Sequence, residues 1–128
     1  KSVSDESTIQ STPIETEFYT ISADRKTFIE AKDTDSIIIP DGVEVIKFDA
    51  FRMSKIKSIV IPKSVKKIED LAFFFFFVEK LVIPNSIGAF GEFTFDGCNS
   101  LTDVIIEEGI TKLGIGMFSG CMSLKSVL

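Results

Sequence analysis

The sequence predicts a β-rich solenoid of about four repeats, because one apolar unit recurs along most of its 128 residues. Each unit is a short apolar strand, then two apolar residues three positions apart, then a small residue followed by Phe. The strands begin at Ile37, Ile59, Leu81, Val104 and Val127, so the unit repeats in steps of 22, 22, 23 and 23 residues. A period in the twenties is typical of solenoids, in which each repeat buries its apolar face on its neighbours.

Each repeat is expected to supply one strand, one turn and one aromatic core residue. In the strand at 37–39 the first and third residues point one way and the second points the other. Pro follows three of the strands and ends the ladder, because it cannot donate a backbone hydrogen bond. The small residue and the Phe after it are expected to open a short helical or 3-10 turn. These pairs are Ala50-Phe51, Ala72-Phe73, Thr94-Phe95 and Met117-Phe118.

The composition before residue 37 differs from that of the repeats. Residues 1–17 are rich in Ser, Thr and Glu, which predicts a flexible linker or tail. Residues 18–36 contain two β-prone runs and are expected to form an N-terminal capping unit. Residues 37–128 are the repeats. They divide into 37–58, 59–80, 81–103 and 104–126, with a fifth begun at 127. Because no polar cap follows the fifth strand, we expect the natural protein to continue.

The charge and the apolar pattern argue against several classes of partner. The net charge is −5 and no basic stripe is visible, which argues against binding to nucleic acid or to an anionic membrane surface. No apolar run approaches membrane-spanning length, so no transmembrane segment is expected in this chain. Two cysteines among 128 residues do not make a disulfide framework.

The repeat resembles the BspA-type leucine-rich repeat. The resemblance lies in the pattern Ile-x-Ile-Pro-x-x-Val-x-x-Ile, and in Phe-x-x-Cys-x-x-Leu at 95–101 and again at 118–124. The first two repeats depart from it by lacking the Cys, and the fourth has Glu107 in place of Pro. The resemblance implies a leucine-rich repeat solenoid. It also implies a surface or secreted protein, since many members of this family are adhesins that bind matrix, host or partner-cell proteins.

Residues that could carry chemistry are better explained by the repeat. Cys98 and Cys121 occupy one repeat position, where a disulfide or a metal site is conceivable, but buried inert thiols are favoured. The chain has no His, so neither a zinc set nor a Cys–His nucleophile can be completed. The carboxylate pairs Glu69-Asp70 and Glu107-Glu108 are interpreted as solvated surface charge. We therefore expect no enzyme activity, no cofactor and no metal.

One column of outward-facing residues is a candidate partner-binding surface. The middle residue of each strand is apolar, where a polar residue would serve equally well. Its members are Ile38, Val60, Val82 and Ile105, with Leu128 next. An apolar stripe on an open sheet face favours a binding surface, while simple β-propensity at a half-exposed column explains it about as well.

Five consecutive Phe residues, at 73–77, form the second candidate surface. Phe73 is expected in the core. Phe74, Phe75, Phe76 and Phe77 occupy a loop, from which one or two side chains can turn inward. The rest would form an exposed aromatic cluster that docks a protein partner or a lipid surface, or that lies in an interface within a larger assembly. If so, replacing Phe75 and Phe76 together by Ser should abolish partner binding or self-association without lowering Tm, whereas loss of folding would place them in the core.

Two functions remain in view from the sequence. The first is a non-catalytic protein-interaction module, outside the cell or at its surface, with an intracellular location not excluded. The alternative is a structural part of a longer solenoid, built permanently into a larger assembly. Light scattering separates them, since a clean monomer favours the reversible binder and an obligate oligomer favours the assembly part. The ligand and the oligomeric state are not determined by these residues.

Overall fold

The computed structural model describes residues 12–128, with Ser126 and Val127 described by their backbone alone. Within this range the chain forms a β-solenoid of about four turns and contains no helix. The strands are β1 (Ile14–Glu15), β2 (Tyr19–Ile21), β3 (Thr27–Ala31), β4 (Ser36–Ile38), β5 (Val45–Ile46), β6 (Ser58–Val60), β7 (Lys67–Ile68), β8 (Lys80–Ile83), β9 (Ala89–Phe90), β10 (Asp103–Ile106) and β11 (Ser126–Val127).

One wall of the solenoid is a six-stranded sheet in the order β1-β2-β3-β5-β7-β9. The first three strands pair antiparallel, and the others pair parallel as the chain winds on. Ile46, Ile68 and Phe90 align across the parallel part, and the two Ile side chains are fully buried. The two apolar residues that follow each strand at a spacing of three, such as Val65 and Ile68, therefore contribute to this wall, as the sequence pattern predicts.

The opposite wall, the strand face, consists of two separate parallel sheets. β4 pairs with β6, and β8 pairs with β10, which pairs with β11. Ile37 aligns with Ile59, and Leu81 aligns with Val104. The strand ladder is interrupted between β6 and β8, where the Phe77 N–H donates to the Ser54 carbonyl at 3.1 Å. The strand face thus divides at the repeat that carries the Phe run.

The segments that carry the core Phe are hydrogen-bonded turns, so the short helical turns expected from the sequence are not confirmed. Bond direction alternates along the turn of the second repeat. The N–H groups of Ala72, Phe74 and Phe76 bond three residues back within the turn. Those of Leu71, Phe73 and Phe75 donate to the next repeat. Because every second N–H leaves the turn, consecutive three-residue bonds cannot build up into a helix.

A ladder of stacked Phe rings runs through the core and joins all the turns. The rings of Phe28, Phe51, Phe73 and Phe95 lie 4.8–4.9 Å apart, with interplanar angles of 3–15°. Phe118 continues the ladder at 5.5 Å. Each ring is one strand spacing from the next because each belongs to a successive repeat. The residue before each repeat's Phe is buried as well: Ala50, Ala72, Thr94 and Met117.

The hairpin of β2 and β3 is the N-terminal part of the same core. Phe28, on β3, is fully buried and begins the Phe ladder, and the Tyr19 ring packs against it at 5.5 Å. Of the linker or tail expected over 1–17, residues 1–11 lie outside the described residues, and Ile14–Glu15 pairs with β2. The capping role of 18–36 remains a prediction.

Candidate interaction surfaces

The outward column of the strand face is exposed along its whole length. We call Ile38, Val60, Val82 and Ile105 the strand column. Their side chains are 73%, 52%, 47% and 45% exposed, respectively. Leu128 follows in line and is 77% exposed. An apolar stripe therefore crosses both sheets of the strand face.

The alternation of side chains along each strand determines that the strand column faces outward. Ile37 in β4 and Ile39 directly after it face inward on either side of Ile38, and they are 5% and 0% exposed. Val82 lies in the same way between the buried Leu81 and Ile83. A one-residue slip would exchange the buried and exposed sets, so the core fixes which residues the face presents.

Phe76 belongs to the core, which corrects its place among the candidate surface residues. It is fully buried, with its ring 5.3 Å from the rings of both Phe51 and Phe73. It occupies the repeat position of Cys98 in the third repeat and of Ser54 in the first. A core site filled elsewhere by a small side chain here takes an aromatic ring. The Phe75 and Phe76 double substitution therefore cannot leave the stability unchanged.

The rest of the Phe run forms an apolar surface on the turns. We call Met53, Phe74, Phe75 and Phe77 the turn surface. Phe75 and Phe77 are 38% and 44% exposed, while Phe74 is half-buried. The Phe74 and Phe75 rings lie 4.4 Å apart, and the Arg52 guanidinium lies over the Phe74 ring at 5.2 Å. These contacts favour the observed arrangement of the two rings.

Backbone conformation determines which Phe of the run faces outward. Phe75 has φ of 52°, in the left-handed region, and so do its repeat equivalents Met53 and Gly97. The Phe75 ring packs over Gly97, where a Cβ would collide with it. Phe75 thus lies on the turn of the next repeat rather than in the core. The left-handed turn residue recurs at one repeat position, but its φ cannot be read from an apolar pattern.

Sequence reasoning missed several exposed apolar residues outside the two candidate surfaces. Phe93 is 39% exposed, and its ring packs over Gly116 as Phe75 packs over Gly97. Phe48, Leu113, Ile115 and Met122 are more exposed still. Among them, only Leu113 belongs to the recurring apolar pattern. Phe93 and Met122 have a signal in the sequence, because they lie directly before Thr94 and directly after Cys121, whereas Phe48 and Ile115 have no such signal.

The two thiols are held in the core by backbone carbonyls. Cys98 Sγ donates to the Phe73 carbonyl at 3.1 Å, and Cys121 Sγ donates to the Phe95 carbonyl at 3.2 Å. Both cysteines are free; Cys98 is fully buried and Cys121 is half-buried. The neighbouring Cys121 thiol and burial raise the pKa of Cys98. A raised pKa makes Cys98 a poor nucleophile, in keeping with a structural role.

Each acidic pair contributes at least one carboxylate that connects repeats. Glu69 Oε1 accepts a bond from the Phe48 N–H at 3.0 Å, and Asp70 Oδ1 accepts one from the Glu92 N–H at 2.7 Å. These groups lie at an open depression of about 600 Å³. Glu107 pairs with Lys63 at 2.7 Å, and hydrogen bonds from Lys63 and from the Asn85 N–H of the preceding repeat lower the pKa of Glu107. Among residues 12–128 no cluster of three potential metal ligands occurs.

Comparison with known proteins identifies the repeat. The family model for the BspA-type leucine-rich repeat region matches residues 20–128 in six copies. No curated protein sequence matches the chain. Within the described part of the chain, no helix is long and apolar enough to cross a bilayer.

Three solved structures show the same fold. A leucine-rich repeat protein from Eubacterium ventriosum is 20% identical, with a TM-score of 0.85 over 92% of this chain and 33% of that one. The pneumococcal vaccine antigen PcpA is 20% identical, with a TM-score of 0.71 over 91% of this chain and 36% of that one. A leucine-rich repeat protein from Bacteroides ovatus is 22% identical, with a TM-score of 0.59 over 90% and 37%. The chain spans about a third of the length of these proteins.

Proposed function

Because the chain belongs to the BspA-type leucine-rich repeat family, we propose that it is a non-catalytic protein-interaction module. We place it in a secreted or cell-surface protein, as an adhesin-like domain that binds matrix, host or partner-cell proteins. Two findings support the location: the family itself, and the likeness to a protein described as a pneumococcal vaccine antigen. An intracellular location is the alternative.

The observation that carries the proposal is the exposed apolar strand column. Four side chains, aligned in the pairs Ile38–Val60 and Val82–Ile105, present aliphatic surface to solvent, although alternation alone would allow polar residues there. Ser36, Ser58 and Lys80 lie beside the column on the same outward side. An apolar centre with a polar rim is the usual anatomy of a protein interface. A partner that contacts several repeats at once would cover the whole stripe.

We also propose that the chain divides into a cap and successive repeats. Residues 18–36 are the N-terminal cap, and 37–58, 59–80, 81–103 and 104–126 are successive repeats, with a fifth from 127. The β2–β3 hairpin supports the capping role, since it closes the parallel sheet with antiparallel strands and places Phe28 at the start of the Phe ladder. Removing the hairpin would expose the Phe51 ring.

A binding panel tests the proposed function. Fibronectin, fibrinogen, laminin and collagen are immobilised, and binding of the wild-type chain is measured by surface plasmon resonance. The test variant carries Val60→Lys and Val82→Lys, which place charges at the centre of the strand column. The matched control is Leu113→Lys, because Leu113 is 47% exposed, like Val82, but belongs to the other wall.

The proposal expects saturable binding to at least one panel member. The double variant should lose most of that binding, and the control should retain it, because only the strand column is covered by the partner. All three proteins should unfold at similar temperatures, since the substituted side chains are exposed. Absence of binding to every panel member contradicts matrix binding, and equal binding by the double variant contradicts binding through the strand column.

The turn surface supports a second function, a structural part of a larger assembly. Phe75 and Phe77 expose aromatic surface that a permanent neighbour would cover. Light scattering on the purified chain tests this alternative. A concentration-dependent oligomer that Phe77→Ser dissociates would support it, provided that Phe48→Ser, at a similarly exposed ring, does not. A monomer at all concentrations contradicts self-assembly through this surface.

A further inference from the structure

The longest apolar run of the second repeat has the composition of a cross-β segment. Residues 71–78 read Leu-Ala-Phe-Phe-Phe-Phe-Phe-Val, without a charge, a Gly or a Pro. Such segments stack as identical strands from many chains. Glu69-Asp70 precede the run and Glu79-Lys80 follow it. Charges flanking a hydrophobic stretch act as gatekeepers against this pairing.

The native fold covers this segment on both backbone edges. On one side the Phe51 and Met53 N–H groups donate to the carbonyls of Ala72 and Phe74, both at 2.7 Å. On the other side the Phe73 and Phe75 N–H groups donate to the third repeat, both at 2.9 Å. The backbone of the segment is therefore already hydrogen-bonded on both sides, to the first repeat and to the third. Local opening of those repeats leaves both edges unpaired.

We propose that residues 71–78, once uncovered, pair with the same segment of a second copy in a parallel, in-register stack. In the native fold one Phe from each of three successive repeats already stacks at this kind of spacing. The rings of Phe51, Phe73 and Phe95 stack at 4.8 and 4.9 Å, close to the strand spacing of cross-β assemblies. A second copy of the segment would offer the same backbone hydrogen-bonding groups. It would also align five Phe side chains, whereas each neighbouring repeat in the fold aligns one. This self-association is independent of the native binding function proposed above.

The test uses the full chain, held at its own urea midpoint so that half of it is unfolded. Thioflavin T fluorescence and sedimentation follow assembly. The test variant is Phe75→Lys, which places a charge at the centre of the segment. The control is Met53→Lys at the equivalent position of the first repeat, where the side chain is also exposed and the backbone is also left-handed. Each variant is studied at its own midpoint, which removes differences in stability.

The proposal expects fibrils from the wild type and the control, and a several-fold longer lag or no fibrils from Phe75→Lys. Removal of a gatekeeper by Glu79→Gln should shorten the lag. Mass spectrometry after proteolysis of the fibrils should recover a protected core that contains 71–78. Three results would overturn the proposal: a wild type that stays soluble, equal kinetics for Phe75→Lys, or a protected core elsewhere in the chain. None of them bears on native binding by the strand column.

Discussion

Replacing Phe76 by Ala should destabilise the protein far more than replacing Phe75, although the two residues are adjacent in a run of identical side chains. Phe76 is fully buried, and its ring packs against the rings of Phe51 and Phe73 at 5.3 Å. Removing a buried Phe side chain costs about 3–5 kcal/mol, since apolar burial is lost and a cavity remains. That is a large share of the ~5–15 kcal/mol that stabilises a typical domain.

Phe75→Ala is the matched comparison. The Phe75 ring is 38% exposed and rests on Gly97, so its loss leaves no closed cavity. The cost should be about 1 kcal/mol or less, as is usual for surface positions. The contrast between the two variants is therefore about 2–5 kcal/mol, obtained as the difference between these ranges.

Urea unfolding followed by far-ultraviolet circular dichroism measures this contrast. With a slope of about 2 kcal/mol per molar, a loss of about 4 kcal/mol moves the midpoint down by about 2 M. Phe75→Ala should move it by about 0.5 M or less on the same slope. Equal shifts for the two variants, or a larger shift for Phe75→Ala, would refute the assignment of Phe76 to the core.

Three further predictions follow from single contacts. Gly97→Ala should cost at least about 1–2 kcal/mol in urea unfolding, because Gly97 has φ of 72° and a Cβ would meet an aromatic ring, whereas Gly88→Ala, in open space, should be nearly neutral. Glu107→Gln should lower Tm at neutral pH. Since the folded-state pKa of Glu107 is lowered, that difference should vanish as the pH falls through it, and a difference that persists in acid would contradict the ion pair. Iodoacetamide should alkylate native Cys121 faster than the buried Cys98 by mass spectrometry, and the reverse order would contradict the structure.

The solenoid could be predicted from the sequence because its core is periodic. Ile37, Phe51 and Val65 each recur at one repeat position, and each lies in the core as expected. The exposed strand column follows from the same pattern, since alternation places Ile38 and Val60 opposite the buried residues. Both features depend only on the spacing of residues along the chain, which can be read from a sequence.

The placement of the five Phe side chains could not be predicted from the sequence, because it depends on the backbone conformation within a turn. The five Phe residues are chemically identical, so composition cannot decide that Phe76 enters the core while Phe75 lies over Gly97. That choice follows from a left-handed residue at Phe75 and from N–H groups that alternate between two acceptors. The same alternation is why the short helical turns expected from the sequence are absent from the described residues. An apolar pattern carries no information about either feature.

Hydroxyl-radical footprinting of the complex with a bound panel protein tests the central claim most directly, because it reports which side chains the partner covers. The account predicts that Ile38, Val60, Val82 and Ile105 lose most of their labelling in the complex. Phe77 and the control residue Leu113 should be labelled as in the free protein, since both are comparably exposed and lie away from the strand column. Unchanged labelling of the strand column, with protection confined to the turn surface, would contradict the claim that the strand face binds the partner.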